Sequence, residues 1–115
     1  MKSVTFEHGG RELALRMDMN ALVRYQDRAG ETISVAIDAI MKDGWDVTRG
    51  RRLFWAGLSE RMTEDEAGEI MSDLGMGAAM NLTGEALRYA IRSLTGEKDG
   101  EADAGNARKP RKKAT

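Results

Sequence analysis

Between Asp18 and Gly96 the apolar residues recur with the period of an α-helix, and the run is cut at short intervals by glycines and capping residues. This punctuation restricts the chain to short amphipathic helices, because each interrupted stretch has one apolar face to bury against the others. The first runs from a cap at Asp18 or Asn20 through Leu22, Tyr25, Gln26 and Ala29 to Gly30. The second opens at Thr32 or Ser34, puts Ile33, Ile37, Ile40 and Met41 on one side and ends before Gly44. The third, capped by Asp46 or Thr48, carries LFWAGL from Leu53 to Leu58. The fourth starts at Thr63, where Glu66 completes a capping box and Glu64 and Asp65 favour the helix dipole. The fifth follows Gly75 and aligns Met76, Met80, Thr83, Leu87, Ala90 and Leu94, with Glu85, Arg88 and Arg92 outside the stripe.

Ahead of the helices, Val4 and Phe6, then Leu13, Leu15 and Met17, alternate with polar residues on either side of Gly9-Gly10. This is the pattern of a β-hairpin, and a lone hairpin needs helices beneath its apolar face. The expected fold is therefore mainly α: an N-terminal β-hairpin packed on a small bundle of about five helices, forming one domain over residues 1–96. Residues 97–115 hold no large apolar side chain and the only proline, so a disordered charged tail is expected there.

Charge and composition exclude several function classes. Residues 1–96 hold 12 Lys and Arg against 15 Asp and Glu, a net of −3, while residues 97–115 hold 6 against 4, a net of +2. A folded part this acidic lacks the basic face of a nucleic-acid binder, and the run Arg108–Lys113 has no interleaved aromatic for base stacking. With no cysteine there is no disulfide, thiolate metal site or cysteine nucleophile. No signal-peptide pattern or membrane-length apolar run is seen, so a soluble cytoplasmic protein is expected.

Candidate chemistry is sparse. His8, the single histidine, sits beside the glycine turn without an orienting partner and reads as an exposed turn residue rather than a general base. Gly75-Met76-Gly77 begins like a dinucleotide fingerprint, but Met80 replaces the third glycine and a helix, not a strand, precedes it. Glu64, Asp65, Glu66, Glu69 and Asp73 read as a solvated acidic face that steers basic partners, since one helix cannot aim them all at a single ion. No catalytic, cofactor-binding or metal-binding residue is assigned.

The third helix is the exception to one-sided patterning. On a wheel of about 100° per residue, Val47, Phe54 and Leu58 fall near one line, with Gly57 and Met62 beside it and Leu53 and Trp55 on opposite flanks. The apolar arc spans roughly 200°, so either this helix is central or one edge faces another molecule. Phe54 is read as core, while Trp55 is read either as a buried or half-buried residue of the monomer or as the partner-facing rim, with Arg51 and Met62 nearby. The chain also carries 8 methionines, whose flexible side chains fill irregular cores and suit surfaces that repack. The candidate partner-binding residues are thus Trp55, Met62, Arg51, Met71, Met76 and Met80, and Trp55→Ala is expected to weaken partner binding while sparing the fold.

The order of segments LALRMDMNAL, RYQDRAG, LFWAGL and TEDEAGEIMSDLG, followed by a last helix, resembles the gene transfer agent family of small tail proteins, grouped with phage tail assembly chaperones. The resemblance covers about residues 3–95. It implies a helical cytoplasmic protein, encoded among tail genes, that escorts the tape measure protein or tail tube subunits during virion assembly and is absent from the finished particle. It implies no cofactor and no catalytic residue, and it leaves open self-association and a frameshifted longer form. The alternative from another class is a small nucleic-acid-binding or regulatory adaptor that uses the basic tail, which the acidic folded part disfavours.

Overall fold

The computed structural model describes residues 1–96, and the expected tail 97–115 lies outside the described residues. Strands β1 (Val4–His8) and β2 (Arg11–Leu15) pair antiparallel, Val4 opposite Leu15 and His8 opposite Arg11. Gly9 and Gly10 join them with φ of 61° and 80°, the pair of positive angles that a two-residue turn of type I′ demands. Val4, Leu13, Leu15 and the following Met17 are buried on one face of the hairpin.

Five helices follow: α1 (Met19–Ala29), α2 (Ile33–Asp43), α3 (Val47–Gly57), α4 (Glu64–Leu74) and α5 (Met76–Leu94). Their starts are fixed by side chains that accept a backbone N–H in the first turn: Asp18 from Ala21, Thr32 from Val35 and Asp46 from Arg49. At α4 both halves of the capping box form, Thr63 Oγ1 accepting from Glu66 N and Glu66 Oε1 from Thr63 N. Gly30 ends α1 in the left-handed region, and Gly75, φ 96°, alone separates α4 from α5.

The wide arc of α3 belongs to a central helix, which packs on α1, α4, α5 and β2. Leu53, Phe54 and Ala56 are fully buried, and the Phe54 ring meets Phe6 of the hairpin at 5.8 Å between centroids. Two glycines set how near the neighbours come. A Cβ at Gly50 would lie 2.4 Å from Met80 Cε, and one at Gly57 would lie 2.7 Å from Met17 Sδ. Val47, expected on the core line, is 65% exposed because it begins the helix at an open cleft beside α4. Leu58 is buried but sits past the helix end, where it bridges Leu15 of β2. Arg16 N donates to Gly57 O at 2.8 Å and Ser59 N to Ala14 O at 2.9 Å, so the hairpin gains a third short edge that the sequence pattern did not predict.

The expected stripes are trimmed at their ends. On α5 Met80, Thr83, Leu87 and Ala90 are buried, whereas Met76 and Leu94 are 49% and 57% exposed. On α2 only Ala36 is buried and Met41 is 82% exposed, because this helix packs chiefly on α1 and stands off the rest of the bundle. No described helix is long and apolar enough to cross a membrane.

Deleting the ring at the centre should test this arrangement. Phe54→Ala is expected to cost about 3–5 kcal/mol, read as a lower denaturation midpoint with an unchanged m-value, whereas Trp55→Phe should cost about 1 kcal/mol for one hydrogen bond.

Candidate functional site

The stand-off of α2 opens a groove of about 370 Å³ against α5. Ile37, Ile40 and Met41 line it from α2, Leu87 and Ile91 from α5, and Trp45 closes one wall. Polar groups from Asn81, Glu85 and Arg88 share this lining. Trp45 is 37% exposed and sits immediately before Asp46, the cap of α3. Its indole lies over two glycines: a Cβ built on Gly50 of α3 or on Gly84 of α5 would be 3.6 Å from the ring. Trp45 and Gly50 thus occupy the two positions of a hydrophobic staple, with a bare backbone in place of the usual apolar partner.

At the other end of α2 a polar clasp fixes the helix start. Tyr25 donates its hydroxyl to Glu31 Oε2 at 2.5 Å, Arg49 donates Nε and Nη2 to the two oxygens of Glu31 at 2.8 and 2.9 Å, and Ile33 N donates to Gln26 Oε1 at 2.9 Å. The Arg49 hydrogen bonds, then that from Tyr25, hold the Glu31 carboxyl down at about 2 from an ordinary 4.5. Burial, and after it Glu31, pushes the Tyr25 phenol up.

The six residues expected to bind a partner fall in three places. Trp55 and Met62 come together, but through a closed internal contact: Trp55 Nε1 donates to Met62 O at 2.7 Å, and both side chains are half-buried against the core. The guanidinium carbons of Arg61 and Arg28 lie 4.9 and 6.0 Å from the indole centroid. Removing Trp55 would therefore strip contacts from the fold itself: of the two positions left open for Trp55, the side chain occupies the half-buried one. Arg51, Met71 and Met76 share a second cleft of about 420 Å³ with Val47, beside α4. Arg51 is turned toward α4, 3.5 Å from both Glu64 and Asp65. Met80 contributes to the floor of the α2–α5 groove. Met71 and Met80 are core side chains, 3% and 6% exposed, because they face inward on α4 and α5; of the four methionines, Met76 alone is largely exposed.

Two polar expectations also change. Glu64, counted with the solvated acidic face, is buried at the first turn of α4, hydrogen-bonded by Arg28, with Arg51 Nη2 and Arg52 Nε each 3.5 Å from its other oxygen. His8 is half-buried rather than a free turn residue: its Nε2 lies 2.9 Å from Asp73 Oδ2 and ties the hairpin to α4. Among the described residues no group of three or more metal-ligating side chains comes together.

Trp45 and the Glu31 clasp were missed in the sequence. The signal for Trp45 was its place just before a capping Asp, where an apolar residue packs back on the helix. The clasp had no such local signal, since Arg49 is 18 residues from Glu31. Compared with family models, curated proteins and solved structures, the chain matches none.

The clasp predicts an acid sensitivity of defined sign. Because the folded carboxyl titrates near 2 rather than 4.5, its contribution is present above pH 4.5 and is lost as pH falls toward 2. Thermal melts of the wild type should therefore decline more steeply across that interval than melts of Glu31→Gln, and parallel curves would remove the clasp from the stability account.

Proposed function

We propose that this protein is a non-enzymatic assembly chaperone for a phage-like or gene transfer agent tail, which holds an apolar helical stripe of the tape measure protein or a tail tube subunit and leaves before the particle is complete. The reading rests on one observation above the others: the α2–α5 groove presents Met41, Trp45 and Ile91 to the outside, at 82%, 37% and 37% exposure. Apolar side chains gathered in a groove between two helices match the recognition of an amphipathic helix through anchors at i, i+3/i+4 and i+7. Methionine on that wall adapts to stripes of different shape, while Trp45, seated on Gly50 and Gly84, offers a fixed flat contact. The segment order along residues 3–95 supports the choice of a tail protein as the occupant.

Co-expression with the tape measure or tail tube protein from the same gene neighbourhood tests it. Co-purification with raised solubility of the tail protein is expected, and Met41→Glu combined with Trp45→Ala should weaken that complex by 2 kcal/mol or more, about thirty-fold. Failure of both tail proteins to co-purify with the wild type would sink the reading, as would equal binding by the double variant.

A further inference from the structure

The apolar wall of the α2–α5 groove does not end at Trp45. Met76, Met80, Leu87, Ile91 and Leu94 stand on one face of α5, with Gly84 between Met80 and Leu87. The middle of this face is covered, since Met80 and Leu87 are buried and the Trp45 ring lies on Gly84. Its two ends, Met76 on one side and Ile91 with Leu94 on the other, are exposed.

At the Met76 end the groove adjoins the second cleft. Met80 lines the groove, and Met76, one turn earlier on α5, lines the cleft. Trp45 lines the groove, and Val47, just after it in the chain, lines the cleft beside Arg51. From Met76 to Ile91 the helix rises about 22 Å at about 1.5 Å per residue, the length of roughly four turns. Anchors at i, i+4 and i+7 occupy about two turns, so the face has room for a second set beyond the groove.

The two ends differ in charge. In the groove Glu85 is balanced by Arg88. In the cleft Asp65 and Glu69 stand against one guanidinium, Arg51, which is already drawn toward Glu64 and Asp65. Both cleft carboxylates belong to exposed residues of α4, where a cation from outside can reach them.

We propose that the occupant of the groove is a single amphipathic partner helix of about four turns, which continues past Trp45 onto Val47 and Met76 and carries lysine or arginine at that end, facing Asp65 and Glu69. The inference rests on the groove reading above and adds a length and a polarity to it. The net of −3 over residues 1–96 (12 Lys and Arg against 15 Asp and Glu) acts in the same direction, drawing in a basic segment and repelling an acidic one. Residues 97–115 of this chain are basic but hold no large apolar side chain, so they do not supply the anchors.

The test is fluorescence anisotropy of labelled peptides titrated with the full chain. The probes are helical peptides of alanine, glutamine and leucine, about eighteen residues long, with leucines on one face and three lysines or three glutamates at one end, and a half-length peptide with no charged end. The lysine peptide should bind saturably and about tenfold or more tighter than the glutamate peptide, and Asp65→Lys with Glu69→Lys should reverse that order. Met76→Glu should weaken the lysine peptide about tenfold while leaving the half-length peptide unchanged, whereas Met41→Glu with Trp45→Ala should weaken both. All the substituted cleft residues are exposed, so the variants keep the fold. Indifference of the long peptides to Met76→Glu would confine the occupant to the groove and overturn the extension, with the groove reading intact. Equal binding of the lysine and glutamate peptides, or no saturable binding of either, would overturn it too, as would a dimer in sedimentation that Met76→Glu dissociates, which would give this face to a second copy of the chain. Because the peptides replace the tail protein, these outcomes are separate from the co-purification that tests the proposed function.

Discussion

Close approach to α3 is the constraint on which the other elements depend. At Gly50 and Gly57 the backbone is bare, and sulfur-bearing side chains of Met80 and Met17 occupy the space that a Cβ would claim. The hairpin can therefore lie against one end of α3 and α5 against the other, and Phe54 between them is sealed at 0% exposure. Methionine suits such contacts because its unbranched, polarizable chain conforms to a backbone surface where a branched residue would collide. Packing on the glycines of α3 thereby accounts for Met17 and Met80, whereas Met19, Met41 and Met76 are exposed.

Around this apolar centre the helix ends are tied by charge. Glu64 places a buried carboxylate at the start of α4, where the dipole favours it, and gathers Arg28 from α1 with Arg51 and Arg52 from α3. Removing the acid would leave three guanidiniums facing one another, and removing any one arginine would leave two. Such a cluster fixes how α1, α3 and α4 meet more surely than it adds net stability, since taking charges out of water opposes their attraction. The clasp of Glu31 by Tyr25 and Arg49 does the same for the start of α2.

What was legible in the sequence was what short-range chemistry decides. The glycine turn, the capping box of Thr63 and Glu66, and the five amphipathic runs all rest on residues within a few positions of one another. The burial of Glu64 rests on Arg28, 36 residues away, and no pattern within α4 distinguishes that carboxylate from Asp65, whose side chain is 91% exposed. Trp55 was read from a wheel that knows angle but not neighbours: α1 and the turn after α3 bring arginines and the Met62 carbonyl to the ring. Trp45 escaped because its seat is made by residues without side chains, and hydrophobic patterning does not register an absence.

That seat links the groove to the lifetime of the fold. Trp45 belongs both to the wall where we place a partner and to the cap of the central helix, so an occupant pressing on it also holds down the start of α3. Binding energy spent there is stability gained by the native state, in proportion to the logarithm of partner concentration over its dissociation constant. Local opening in the unoccupied protein is expected to begin at α2, where Ala36 is the one buried residue. If the groove is occupied as we propose, the supply of that occupant would therefore set how long each copy of the protein survives.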